Sequence, residues 1–84
     1  MVLYDFYADW CGPCKMMSPI IDQLEQERPD IEIIRVNVDE QPETSQDFGV
    51  SSIPTYILVK DEQHTRIIGA MPKPRFLSEL GLDN

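Results

Sequence analysis

Cys11 and Cys14 are the residues whose type and spacing most directly suggest chemistry. The loop between them is too short to staple distant parts of the chain, which is what a structural bridge does. The spacing suits dithiol–disulfide exchange instead. A change of hydrophobic period puts the pair between a buried strand and a helix. Cys11 then falls at the helix N-terminus, where free N–H groups and the macrodipole favour an anion. Such a site lowers a thiol pKa and makes the sulfur a nucleophile at neutral pH. A thiol moved from about 8.5 to about 7 goes from roughly 3% thiolate at pH 7 to roughly half. Cys14 lies one turn on, on the same side and within bonding reach. The expectation is an exposed attacking sulfur at Cys11 and a sheltered resolving sulfur at Cys14.

Asp5 is the third candidate. It stands in Val2-Leu3-Tyr4-Asp5-Phe6-Tyr7, a run apolar on both alternating faces, as in a strand covered on both sides. Aspartate suits strand interiors poorly, and a charge among apolar neighbours costs several kcal/mol unless paired. Desolvation then raises its pKa and makes it a base for Cys14. The competing reading ties the carboxylate to a turn or to Arg35, whose permanent charge pulls that pKa back down. The remaining candidates carry less. A zinc site needs two ligands besides the cysteines, and His64 is the lone histidine beside a polar turn, so no metal is expected. Met16, Met17, Tyr4 and Tyr56 fall where core residues belong, and Asp9 reads as a solvated loop acid.

The elements that must hold these residues follow from the pattern. After the strand at 2–7, Met16, Met17, Ile20, Ile21 and Leu24 recur at helical spacing, with Asp22, Glu25, Glu27 and Arg28 on the wet side. Pro13 suits the first turn, and Pro19 should kink the helix. Arg28-Pro29-Asp30 ends it. A second strand runs from Ile31 to Val38, a short helix opens at Gln41-Pro42 and closes at Gly49, and strands follow at 55–59 and 64–68. Lys60-Asp61-Glu62-Gln63 lacks the Asn-Gly or Asp-Gly of a tight hairpin, so a longer loop is expected there. Pro74 starts a last helix with Phe76, Leu77 and Leu80 inward and Gly81 as its stop. The order β-α-β-α-β-β-α predicts an α/β fold with parallel pairing and an antiparallel closing hairpin, hence a mixed sheet.

Eighty-four residues allow a single domain over 1–84. The formal net charge is −8, and residues 1–59 hold three basic and eleven acidic side chains. That balance argues against nucleic-acid binding, which needs a basic stripe, and against anionic membranes. It also keeps a small protein soluble. No apolar run reaches the ~18 residues of a membrane span, and no leader pattern opens the chain, because Asp5 interrupts it. Cytoplasmic residence is the expectation.

Asp5-Phe6-Tyr7-Ala8-Asp9-Trp10-Cys11-Gly12-Pro13-Cys14-Lys15, with Val38-Asp39, Phe48-Gly49-Val50, Ile53-Pro54-Thr55 and Gly69-Ala70 downstream, resembles the thioredoxin family over nearly the whole chain. The resemblance implies a thiol–disulfide oxidoreductase that reduces protein disulfides, with no cofactor beyond its own Cys11–Cys14 disulfide. Cys11 would attack, Cys14 would resolve, and Asp5 would serve Cys14 as base. Gly12 and Pro13 look like the reducing version of the motif. Ile53-Pro54 would be a cis peptide facing the cysteines and pairing with the substrate backbone. Trp10, Ile53, Gly69 and Ala70 would line an apolar groove beside Cys11. A partner reductase or small thiols would restore the dithiol.

The sequence departs from that family in two ways. Arg35 stands where many members have lysine, and the chain begins where the family's second strand would. The resemblance then implies a minimal fold of four strands and three helices, in the order 31–38, 2–7, 55–59, 64–68 with the last strand antiparallel. The strand at 31–38 becomes an edge, with Glu32 and Arg35 as charged gatekeepers. One sheet face keeps only the short helix near Glu43 to Phe48. Low stability, or a homodimer through the 31–38 edge, is the consequence. The alternative function is a thioredoxin-like binding module with an incidental dithiol; the matched pair of thiols favours the enzyme. A disulfide-forming oxidase fits poorly with Gly-Pro between the cysteines.

Overall fold

A computed structural model describes residues 1–83. The elements run β1 (Val2–Tyr7), α1 (Gly12–Glu27), β2 (Glu32–Asn37), α2 (Pro42–Asp47), β3 (Thr55–Lys60), β4 (Gln63–Ile68) and α3 (Lys73–Leu80). Each boundary has a local cause. The Cys11 sulfur accepts the Cys14 N–H and caps α1, and Pro13 occupies a position where its missing N–H costs nothing. The helix continues through Pro19, which cannot donate to the carbonyl one turn back. Gly49 (φ 67°) and Gly81 (φ 75°) end α2 and α3 in the left-handed region, where a Cβ is disfavoured.

The strands form one mixed sheet in the order β2-β1-β3-β4. β2 is parallel to β1, whereas β3 is antiparallel to β1 and β4 antiparallel to β3. The reversal therefore occurs at β3, not at the last strand. A six-residue helix spans about 9 Å and cannot carry the chain back along a strand of about 20 Å. After β2 the chain stays at one end of the sheet and re-enters beside Phe6 at Thr55. The ends of β1, β2 and β4 and the start of β3 thus meet on one rim.

The β3–β4 connection is also tighter than the sequence pattern predicts. Lys60 pairs with Gln63, leaving a two-residue turn at Asp61-Glu62. Asp61 takes φ 56°, a conformation aspartate tolerates better than most side chains.

The two faces of the sheet are covered differently. Against α1 and α3, Leu3, Met17, Ile21, Leu24, Tyr56, Leu58, Phe76 and Leu80 pack into the main core. Over the face that α2 serves, Phe6, Val36 and Ile57 are buried, while Tyr4, Ile34, Val38, Phe48 and Val59 are only partly covered. Arg66 ties β4 across this face by donating to the carbonyls of Phe48 and Gly49. Met16 is not a core residue as its spacing suggested: it is 70% exposed. The inward stripe of α1 is Cys14, Met17, Ile21 and Leu24, and Met16 lies beside that line.

Candidate active site

The rim where the strand ends meet holds both cysteines. Cys11 and Cys14 form a disulfide with their Cα atoms 5.2 Å apart. The Cys14 N–H donates to the Cys11 sulfur at 3.2 Å, and the Cys11 N–H is taken by the Ala8 carbonyl. One cysteine is therefore the N-cap of a 16-residue helix, with an unpaired-donor environment that favours negative charge on its sulfur. The expected contrast in exposure is absent in this oxidised state. Cys11 is 4% and Cys14 8% exposed, because the bonded sulfurs pack with Ala8, Tyr7, Val38 and Ile53. What separates the two is the cap: only Cys11 receives a helix N–H.

Asp5 lies in the centre of β1, 8% exposed. It shares with Cys14, Lys15, Ser18 and Arg35 the wall of a hollow of about 410 Å³. Burial pushes its carboxyl up to about 6, against the pull of the Arg35 charge and with help from Asp22. The alternative in which Arg35 binds Asp5 is not what the side chains do. Arg35 stands directly across from Asp5 in the sheet, yet its hydrogen bonds go to Asp22 (2.8 Å) and Glu25 (3.2 and 3.4 Å) on α1. Tyr56, across from Asp5 on β3, is held in its neutral form by burial and by the neighbouring carboxylate.

The residues expected from the sequence to meet substrate gather from three directions. Gly12 and Pro13 form the exposed first turn of α1. Ile53 packs against the cysteine pair, and the Ile53-Pro54 peptide is cis, with Pro54 fully buried. The Gly69 N–H donates to the Pro54 carbonyl at 2.9 Å, with Gly69 at φ 101°. Ala70 opens onto a flanking hollow of about 320 Å³ shared with Met16, Ile20 and Met71. Trp10 is 69% exposed, and its indole Nε1 donates to Asp39 Oδ2 at 2.7 Å.

Asp39 was given no role from the sequence, although a signal was present. Asn37 ends β2, and its side-chain oxygen accepts from the N–H groups of Asp39 and Glu40. An Asn two residues before an acid at a strand end is an Asx turn that aims the acid back along the rim. Among the described residues, no cluster of three or more His, Cys, Asp or Glu side chains is placed to hold a metal ion.

Comparison with known proteins places this arrangement. The thioredoxin family model matches residues 1–80. The chain belongs to the thioredoxin family. It is 49% identical over 81 residues to the thioredoxin of Mycobacterium tuberculosis, covering 94% of this chain and 70% of that one. Against thioredoxin 1 of Synechococcus elongatus the identity is 41% over 81 residues, covering 94% and 76%. The oxidised mitochondrial thioredoxin 3 of Saccharomyces cerevisiae superposes with a TM-score of 0.84 at 41% identity, covering 96% of this chain and 77% of that one. The protein is thus a thiol–disulfide oxidoreductase, a protein-disulfide reductase whose redox-active pair is Cys11–Cys14. Thioredoxin membership implies disulfide-bearing substrates and a reductase system that restores the dithiol. Among the described residues, no helix is long and apolar enough to cross a membrane.

Proposed function

We propose that Cys11 is the attacking sulfur, Cys14 the resolving sulfur and Asp5 the base that takes the Cys14 proton. The Cys11 thiolate attacks a substrate disulfide, forming a mixed disulfide and releasing one substrate sulfur as a thiolate that takes up a proton. The Cys14 thiol then gives its proton to the Asp5 carboxylate and attacks the Cys11 sulfur. The second substrate sulfur leaves as a thiolate. Two electrons pass from the dithiol to the substrate, and the Cys11–Cys14 disulfide remains. The observation that carries this reading is the capping of α1 by the Cys11 sulfur, with buried Asp5 sharing a hollow with Cys14. A carboxyl pushed up to about 6 by burial is poised to accept and return a proton near neutrality.

In the same reading Trp10, Gly12, Pro13, Ile53, Pro54, Gly69 and Ala70 receive the substrate segment. The backbone before β3 pairs with an extended chain, and Trp10, steadied by Asp39, walls the apolar side. Reduction of insulin disulfides by dithiothreitol tests the assignment. Acceleration by the wild type should vanish in both Cys11→Ser and Cys14→Ser, and the Cys14→Ser protein should accumulate a mixed disulfide at Cys11. Full activity in either serine variant overturns it.

Three coarser features belong to the proposal. Residues 1–84 act as one domain, supported by a single sheet and a radius of gyration of 12.0 Å. The protein works in the cytoplasm, supported by its likeness to bacterial thioredoxins. The outer edge of β2, unpaired among the described residues, joins a second copy. Sedimentation at micromolar concentration that finds a folded monomer with a high melting temperature would remove the dimer.

A further inference from the structure

The most unexpected arrangement in the molecule is the direction taken by Arg35. Residues in register on neighbouring strands lie about 4.8 Å apart, and Asp5 and Arg35 are such a pair. A buried acid beside an arginine should form a two-pronged ion pair. Instead both Nη atoms of Arg35 turn to α1, reaching Asp22 at 2.8 Å and Glu25 at 3.2 and 3.4 Å. Asp22 and Glu25 are three residues apart on one helical face, so they grip the guanidinium from two sides.

We propose that Asp22 and Glu25 are positioning residues for Asp5: by holding the Arg35 guanidinium against α1, they deny Asp5 the counter-charge its place in the sheet would give it. In catalytic terms this rests on the reading of Asp5 as the base for Cys14. A carboxylate locked to arginine is a poor base, because the bonds that hold the charged form must be broken for it to accept a proton. With the guanidinium drawn away, Asp5 stays hungry for a proton and still close enough to the charge to release it.

The other groups around Asp5 do not provide the same control. From β3 it faces Tyr56, which is neutral. From α1 it faces Cys14, with Lys15 in the wall of the same hollow. Asp9, beyond the end of β1, lines that hollow too. From α3, Phe76 packs edge-on against Tyr56 and carries no charge. The α3 cation on this side, Lys73, is engaged by Gln23 and Glu27. The cation that pulls against burial on the Asp5 proton affinity is Arg35.

The test is a carbon-NMR titration of the Asp5 carboxyl in the oxidised protein, where Cys14 does not titrate and cannot blur the midpoint. Wild type should titrate near about 6. In Asp22→Ala/Glu25→Ala the freed arginine should drop the midpoint by about one pH value or more. Arg35→Met should raise it. In the Arg35→Met background the same two alanines should move it far less, because there is no guanidinium to release. An unchanged midpoint in the double alanine variant overturns the proposal. So does an equal shift with and without Arg35, which would make the two acids direct electrostatic neighbours only. Failure of the base reading shows elsewhere: an Asp5→Asn protein with full reductase rate would end that role while leaving these titrations as they stand.

Discussion

The two faces of the sheet show what a helix layer is worth. On the α1/α3 face the buried core is continuous, with Leu3, Phe76 and Met17 at or below 1% exposure. On the α2 face only Phe6, Val36 and Ile57 are fully buried, ringed by half-covered Tyr4, Ile34 and Val59. The thick face carries the fold's stability and also the buried acid that works against it. The thin face carries less of both.

The comparison can be broken most forcefully at the thick face. Phe76→Ala removes a fully buried ring that meets Tyr56 edge-on and should cost about 3–5 kcal/mol. For a small domain with about 5–15 kcal/mol in total, that approaches unfolding. Ile34→Ala on the thin face should cost only about 1 kcal/mol. Urea melts of the two variants should differ accordingly, and equal losses would remove the distinction between the faces.

A substitution of opposite sign sharpens it. The Asp5 carboxyl sits at about 6 in the folded chain against 3.8 in the open one. The folded state thus binds the proton more tightly, and stability falls as pH rises from about 4 to about 6. Asp5→Asn should raise stability at pH 7 by up to about 3 kcal/mol, with the gain gone below about pH 4. Melting temperatures across that range check both size and sign, and a pH-independent gain would rule out the burial of charge as its cause. The smallest effect belongs to the tie across the thin face. Arg66→Met loses the bonds to the Phe48 and Gly49 carbonyls and should cost about 1 kcal/mol or less. Hydrogen exchange should quicken in α2 while β1 stays protected.

Much of this was legible in the residues. The hydrophobic periods located all seven elements within a residue or two, because apolar alternation and helical stripes are strong local signals. The Cys11-Gly12-Pro13-Cys14 loop and Asp5 declared themselves by being chemically out of place. What the sequence hid was relational. The direction of β3 depended on a helix too short to cross the sheet. The Asp61 turn depended on one residue accepting a positive φ. Met16 fell outside the core by one step of a helical turn. The sheltering of Cys11 came from packing with Ile53, forty-two residues away in sequence. Arg35 chose between two sets of acids, and only geometry names the winner.

The convergence of strand ends on a single rim has a consequence for folding. Ile53, packed against the cysteine pair, comes from just before β3, the Asp39 that holds Trp10 from just after β2, and Gly69 from just after β4. Each of these contacts closes a long loop, and loop closure is an entropic cost met before any reward. The stretch from Asp5 to Cys14 carries the reacting groups, but not the walls around them. The sulfurs acquire their surroundings only when the sheet is complete, so catalytic competence arrives as an all-or-none property of the finished fold.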